Sequence, residues 1–271
     1  MIGNRMIKRW MGGVALLPAI IAAPALAAPP TPIYNWTGFY VGANVGAAWG
    51  RFGSNTVSDC SGTPPGSFTT YYCDPFFVGG STTVNAAGSG PFNATGFTGG
   101  FQAGYNWQVQ SIVFGLESDI GAFRLNGSRQ GSGIVDTTFG SVPFTITTWA
   151  NTDWLYTLRG RLGATVRPDL FVYATGGLAV TRLNFRTSYA DDNGATGTWG
   201  TSGIKVGYAV GAGAEYGLSR DWTIKAEYLY LNFGDCLFSN GIIDASGYGQ
   251  AISTRVDLTA QIARIGVNRR F

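Results

Sequence analysis

The stretch from Val206 to Gly234 leaves the chain little choice of secondary structure. It reads VGYAVGAGAEYGL, then SRD, then WTIKAEYLYLNFG. Val206, Tyr208, Val210, Ala212, Ala214, Tyr216 and Leu218 alternate with Gly207, Ala209, Gly211, Gly213, Glu215 and Gly217. After the connection, Trp222, Ile224, Ala226, Tyr228 and Tyr230 alternate with Thr223, Lys225, Glu227, Leu229 and Leu231. A period of two means extended chain, because successive strand side chains point to opposite faces. Two such runs joined by a short polar link read as a hairpin. One face is apolar and aromatic, whereas the other carries glycines and charges. That is the pattern of a membrane barrel, with lipid outside and small or polar residues inside.

Composition points the same way. The chain has 41 Gly among 271 residues, 14% aromatic and 12% charged, against roughly 25% charged in a soluble domain. No run of about 18 apolar residues exists beyond the N-terminus, which excludes a helical membrane protein. Of 18 basic residues, Arg5, Lys8 and Arg9 lie in a segment expected to be removed, leaving 15 against 15 acidic ones. A near-neutral mature chain gives no electrostatic support for a nucleic-acid partner.

Arg5, Lys8 and Arg9 precede a mostly apolar Met11 to Ala23, and Ala25, Leu26 and Ala27 fit the small-x-small cleavage rule. Residues 1–27 therefore read as a secretory signal peptide, with an uncleaved anchor as the alternative. Residues 28–36, with Pro29, Pro30 and Pro32, read as an extended periplasmic leader, and residues 37–271 as the barrel.

Alternation recurs along the rest of the chain. The first expected strand sets Phe39, Val41, Ala43, Val45, Ala47 and Trp49 against Tyr40, Gly42, Asn44, Gly46 and Ala48. The second sets Phe97, Phe101, Ala103, Tyr105 and Trp107 against Thr98, Gln102 and Asn106; the third sets Ile112, Phe114, Leu116 and Ile120 against Glu117 and Asp119. The fourth has Trp154, Tyr156, Leu158, Leu162 and Val166 opposite Asp153, Thr157, Arg159 and Arg161. In the fifth, Leu170, Val172, Ala174, Leu178 and Val180 oppose Tyr173, Thr175 and Thr181. The hairpin above supplies two more, and a last strand ends at Phe271 with Ala263, Ile265 and Val267 outward.

Short links near Gln108–Ser111, Arg167–Asp169 and Ser219–Asp221 alternate with long polar segments near Gly53–Asn93, Leu125–Asn151, Asn184–Ile204 and Gly234–Thr254. The predicted fold is all-β: an eight-stranded antiparallel transmembrane β-barrel with short periplasmic turns and long extracellular loops, the loop asymmetry of bacterial outer-membrane barrels.

Trp36 to Gly42 (WTGFYVG), Ile112–Ala122 (IVFGLESDIGA), Tyr173–Val180 (YATGGLAV), Lys225–Gly234 (KAEYLYLNFG) and the terminal RIGVNRRF resemble the small outer-membrane β-barrel proteins of alphaproteobacteria. These are the outer-membrane immunogenic or porin-family proteins, similar in architecture to the OmpA membrane domain. The resemblance implies a Gram-negative outer-membrane location, a surface antigen, and Phe271 as part of an assembly signal read by the barrel-assembly machinery. Arg269 stands where the family usually places an aromatic or apolar residue. No peptidoglycan-binding domain is expected after Phe271.

The expected lumen contains four acids and four bases: Glu117, Asp119, Glu215 and Glu227 with Arg159, Arg161, Lys225 and Arg264. Counting from the turns sets Glu117 level with Arg161 and Asp119 level with Arg159. Buried charges are tolerable only when paired and hydrogen-bonded, and eight strands enclose just enough space for side chains to fill. A closed, salt-bridged core is thus the expectation, with a gated or ion-selective pore as the competing reading.

Enzymatic chemistry is poorly supported. With no histidine in the chain, Ser–His or Cys–His activation and His metal ligation are absent, and no cofactor or metal is expected. Three cysteines mean one bridge and one leftover thiol, or an intermolecular bond. Cys60 with Cys73 closes the shortest loop, which costs least entropy; Cys236 is the competitor. The function expected is therefore a non-enzymatic barrel with a structural, envelope and surface-contact role. Its expected partners are outer-membrane lipids and lipopolysaccharide, with host or surface ligands reached through the loops. The alternatives are a porin for small solutes and an adhesin or ligand receptor, heme included.

Overall fold

The computed structural model describes residues 34–61, 72–73, 77–138, 140–234, 237–245 and 248–271. The predicted signal peptide, most of the leader and Cys236 lie outside them. Among the described residues ten strands and one helix follow in order: β1 (Gly38–Ser58), β2 (Phe77–Val78), α1 (Gly80–Gly88), β3 (Gly90–Val109), β4 (Ile112–Thr137), β5 (Gly140–Arg167), β6 (Leu170–Asp191), β7 (Thr196–Gly217), β8 (Trp222–Asn232), β9 (Leu237–Ala245) and β10 (Tyr248–Arg270).

Neighbours pair antiparallel in the order β1-β3-β4-β5-β6-β7-β8-β10, and β1 closes on β10 from Tyr40↔Arg270 to Ser58↔Ile252. The strand count differs from the eight predicted, for two reasons. β2 is a two-residue pairing on β4. β9 continues the column of β8: both pair with β10, at Arg269↔Trp222 to Thr259↔Asn232 and at Val256↔Leu237 to Tyr248↔Ala245.

The expected alternation holds along the half of each strand nearest the short turns. Phe39, Val45, Phe101, Phe114, Leu116, Ile120, Leu158, Leu162, Val172, Ile224 and Ile265 all face outward and are exposed. Their partners on the other face, Tyr40, Asn44, Gln102, Glu117, Thr157, Tyr173 and Asn268, are buried inside the ring. Aromatic side chains edge this belt at the turn end, with Phe39 and Phe271 6.2 Å apart and Tyr105 and Trp107 4.7 Å apart.

Farther up the same strands the pattern turns inside out. On β1, Arg51 and Asn55 point outward while Phe52 is buried; on β6, Arg182 and Arg186 are exposed while Leu183, Phe185 and Tyr189 are buried. On β10, Asp257 and Arg255 face outward opposite Leu258, Val256 and Ile252. Period two continues but its polarity is exchanged, as it must be where water replaces lipid outside the wall and the interior has to supply an ordinary apolar core.

The long polar loops of the sequence reading are corrected accordingly. Leu125–Asn151 is largely β4 and β5, Asn184–Ile204 is largely β6 and β7, and Gly234–Thr254 contains β9 and the start of β10. A strand that is polar on its outer face resembles a loop if the search is for an outward apolar stripe.

Of the first long segment, the described residues include α1, which packs into the hairpin end of the barrel. Its sequence, GSTTVNAAG, is rich in poor helix formers, so α1 owes its helicity to tertiary contacts. Val84 is fully buried in a cluster with Tyr72, Val135, Phe144, Ile146, Tyr189, Trp199, Ile243 and Ile252. Asn85 Oδ1 accepts hydrogen bonds from Ser58 N (2.7 Å) and Oγ (2.9 Å), and Arg129 donates to the Ala87 carbonyl. Gly79 enters the helix at φ 68°, a left-handed conformation that favours glycine.

Cys60 and Cys73 form a disulfide with Cα atoms 5.6 Å apart. Its neighbour Tyr72 donates its hydroxyl to Asp191 Oδ2 at 2.8 Å, which ties the bridged loop to β6.

Residues one step apart should therefore behave oppositely at the hairpin end. Phe52→Ala should destabilise the folded barrel by about 3–5 kcal/mol, while Arg51→Ala should stay within about 0.5 kcal/mol. Guanidinium unfolding of both variants in the same detergent checks this.

Candidate functional site

All eight charged residues singled out in the sequence meet inside the barrel, and none is more than 5% exposed. β4 carries Glu117 and Asp119, β5 carries Arg159 and Arg161, β7 carries Glu215, β8 carries Lys225 and Glu227, and β10 carries Arg264. Each occupies an inward position of the period-two pattern, so the strand pleat alone aims them at one another.

Arg159 is the hub. Its Nη2 donates to Glu117 Oε1 at 2.7 Å and to Asp119 Oδ2 at 2.8 Å, and its Nη1 to Glu227 Oε1 at 3.1 Å. Lys225 Nζ lies 2.9 Å from both oxygens of Glu117. Arg264 donates through Nε to Glu227 Oε2 at 2.8 Å and through Nη2 to Asp119 Oδ2 at 3.1 Å. Arg161 donates to Glu215 Oε2 at 2.6 Å and to Glu117 Oε2 at 3.3 Å.

The expected contacts of Arg161 with Glu117 and of Arg159 with Asp119 both form, but the strand register differs from the expected one by a single step. In the β4–β5 register Glu117 stands opposite Arg159 and Asp119 opposite Thr157, so Arg159 serves both acids and Arg161 reaches across the lumen to Glu215. A second correction concerns Asp153, expected on the inner face. Register shifts between Ala122 and Asn126 on β4 and between Thr152 and Leu155 on β5 leave it paired with exposed Arg124 at 3.1 Å.

Sequence reasoning missed the neutral groups that complete the layer. Tyr40 donates to Glu117 at 2.8 Å, Tyr173 to Glu227 at 3.0 Å, Thr157 to Asp119 at 2.6 Å and Asn268 to Glu215 at 2.8 Å. Arg161 Nε has no hydrogen-bond partner, but its guanidinium lies 4.1 Å from the Tyr173 ring centroid, within cation–π range. The signal was present in the alternation, since Tyr40, Tyr173 and Asn268 all sit at inward positions.

Two apolar layers enclose the ionic one. At the turn end Trp36 is fully buried with Val113, Phe171 and Tyr173, its ring 5.3 Å from Phe171 and 4.8 Å from Tyr34. Its backbone N–H donates to Gln108 Oε1 at 2.7 Å and its indole to the Pro168 carbonyl at 3.2 Å. The last residues of the predicted leader are thus part of the barrel. On the other side lie Phe52, Phe92, Phe123, Leu125, Leu183, Leu229, Leu231, Val256 and Leu258.

Four carboxylates held by four cations have little capacity left for a ligand, and among the described residues no group of three or more His, Cys, Asp or Glu is placed to hold a metal. What the arrangement does is join β1, β4, β5, β7, β8 and β10 across the lumen through mutually neutralised charges.

This ring of strands with an outward apolar belt matches the outer membrane protein beta-barrel domain family over residues 14–271. The chain belongs to that family. This outer-membrane barrel is 33% identical over 254 residues to the 31 kDa outer-membrane immunogenic protein of Brucella melitensis biotype 1, an alignment covering 93% of this chain and 91% of the relative. Over 159 residues it is 33% identical to the 22 kDa outer membrane protein of Rhizobium leguminosarum bv. viciae, covering 58% and 63% of the two chains. Among solved structures, OprG from Pseudomonas aeruginosa aligns at 14% identity and a TM-score of 0.42, over 88% of this chain and 97% of that one.

Removing the hub cation should expose the cost of burying the acids. Arg159→Met should lower the unfolding free energy of the barrel by about 3–5 kcal/mol, the cost of leaving buried charge uncompensated. Adding Glu117→Gln and Asp119→Asn to Arg159→Met should recover part of that loss. An unchanged denaturation midpoint in the single variant would mean that water reaches the layer and screens it.

Proposed function

We propose that this protein is a closed, non-enzymatic barrel that crosses the outer membrane at eight strand positions, β8 and β9 sharing one. In this reading the short turns face the periplasm and the long hairpins stand outside the cell. Its role is envelope structure and surface contact rather than transport. The observation that carries the reading is the ionic layer, in which every carboxylate is neutralised in a volume closed to solvent.

A conducting pore needs a continuous polar path. Here the Trp36–Phe171 contact and the Phe52–Leu258 core lie on either side of the ionic layer, and an eight-position barrel has room only for such a filling. Surface contact is supported by the length of the hairpins, whose strands continue well beyond the outward apolar belt. Lipopolysaccharide and surface ligands are the partners such a wall would meet. Phe271, 70% exposed with its backbone N–H bonded to the Phe39 carbonyl at 2.9 Å, remains accessible for the assembly machinery to read before closure.

Two measurements test the reading. In planar bilayers the refolded protein should give no regular conductance steps; reproducible ohmic steps would establish the porin alternative. On intact cells, with Cys236 replaced by Ser in both variants, a membrane-impermeant maleimide should label Asn193→Cys and spare Arg220→Cys, and the reverse pattern would invert the topology.

A further inference from the structure

The outward face near the short turns carries a groove of about 630 Å³, lined in part by Val41, Phe101, Ala103, Ser118, Ile120 and Arg269. Its origin lies in the register. Ala103 pairs with Ser118 across β3 and β4, while the outward pairs on either side are Phe101↔Ile120 and Tyr105↔Leu116. The smallest pair on that surface therefore lies between two of the largest, and leaves a trough. The trough runs across strands, because Val41 is the β1 partner of Ala103 and Arg269 is the β10 partner of Val41.

From Arg269 to Ser118 there are three inter-strand steps, roughly 14 Å at about 4.8 Å each. With strands tilted about 40° this line climbs roughly 9 Å toward the bilayer centre, within one leaflet. Arg269 at its lower end is exposed and directed outward, and no carboxylate among the described residues is paired with it. Its guanidinium rests 5.4 Å from the Phe271 ring centroid, which holds the charge at the level of the aromatic edge. An unpaired cation at headgroup depth that opens onto an apolar trough matches an anionic lipid at both ends: charge at Arg269, hydrocarbon along Ala103.

We propose that this groove holds one anionic glycerophospholipid of the periplasmic leaflet, with its phosphate on Arg269 and one acyl chain along the Val41–Ala103–Ser118 line. A cation at this position also accounts for the departure from the aromatic or apolar residue expected there. The inference goes beyond the closed-barrel reading and uses the proposed orientation only to name the leaflet.

Native mass spectrometry of the full chain in mild detergent tests it, and reads lipid binding whether or not the barrel conducts. Wild-type barrel should retain one phosphatidylglycerol about fivefold better than phosphatidylcholine, the worth of one basic side chain at a charged lipid surface. Arg269→Gln should abolish that preference and leave phosphatidylcholine retention unchanged. Ala103→Phe, which fills the trough from outside the core, should weaken both lipids. Equal retention of the two lipids by wild type would overturn the proposal, and that comparison requires no variant to fold. It would equally fall if Ala103→Phe retained lipid as wild type does, or if a second copy of the chain occupied this face.

Discussion

In hydrocarbon an unpaired backbone N–H or C=O costs several kcal/mol, so a sheet can cross only as a closed ring. Everything else in this molecule follows from closing β1 on β10. Closure fixes the enclosed volume, and a narrow ring leaves its inward side chains only one another for company. A charge placed there must find its opposite on a facing strand. That requirement is met by Arg159, which touches acids from β4 and β8 together, and by Arg264, which does so from the other side. The neutral donors Tyr40, Thr157, Tyr173 and Asn268 then take acceptor positions that the cations do not fill.

The second constraint is that each strand meets two solvents. Lipid surrounds the turn end and water the hairpin end, and one backbone with one period serves both by exchanging the polarity of its two faces. Trp49 and Arg51 on β1, or Val180 and Arg182 on β6, mark the change within two residues. β4 and β5 make the change with irregular pairing. There Thr152 Oγ1 accepts from Leu125 N at 3.1 Å and donates to the Phe123 carbonyl at 2.6 Å, substituting for the interrupted ladder. Beyond the change the wall is built like a soluble sheet around an apolar core, with α1 as its cap.

Alternation was legible along the turn-end halves of the strands, because a period of two needs no knowledge of what lies opposite. The eight charges that it assigned to the lumen network are all buried inside the ring. Register was not legible to the same precision: counting from the turns put Glu117 level with Arg161, one step from its cross-strand neighbour Arg159, although ion pairs to both arginines form. Counting equal distances from the β3–β4 and β5–β6 turns ignores the stagger between neighbouring strands that closing a tilted barrel imposes, here two residues between β4 and β5. The upper halves of the strands were read as loops because the search followed an outward apolar stripe that there becomes an inward one. Trp36 was placed last in the leader although it opens the WTGFYVG motif, because a position before the first strand has no alternating neighbours to show which face it takes. Arg269 was visible as a departure, but its meaning needed the register that sets it beside Val41 and, one strand on, Ala103.

The ionic layer also answers a question that packing alone does not. An apolar filling at this level would spare the desolvation of eight charges, and buried ion pairs frequently lose to hydrophobic substitutes of the same volume. The chain, however, must remain unlike a membrane helix until it becomes a barrel. β3 and β4 are joined only by Gln110 and Ser111, so with apolar residues at Thr98, Gln102, Asn106, Glu117 and Asp119 only Gln108, Gln110, Ser111 and Ser118 would interrupt the apolar character from Phe97 to Ile120. A segment of that length and composition approaches the roughly 18 predominantly apolar residues that read as a transmembrane helix. Polar inward positions divide it, and a polar residue that must end up buried needs a partner across the lumen. On this argument the charges are placed by the requirements of the unfolded chain, and the geometry of Arg159, Lys225 and Arg264 is how the folded ring accommodates them.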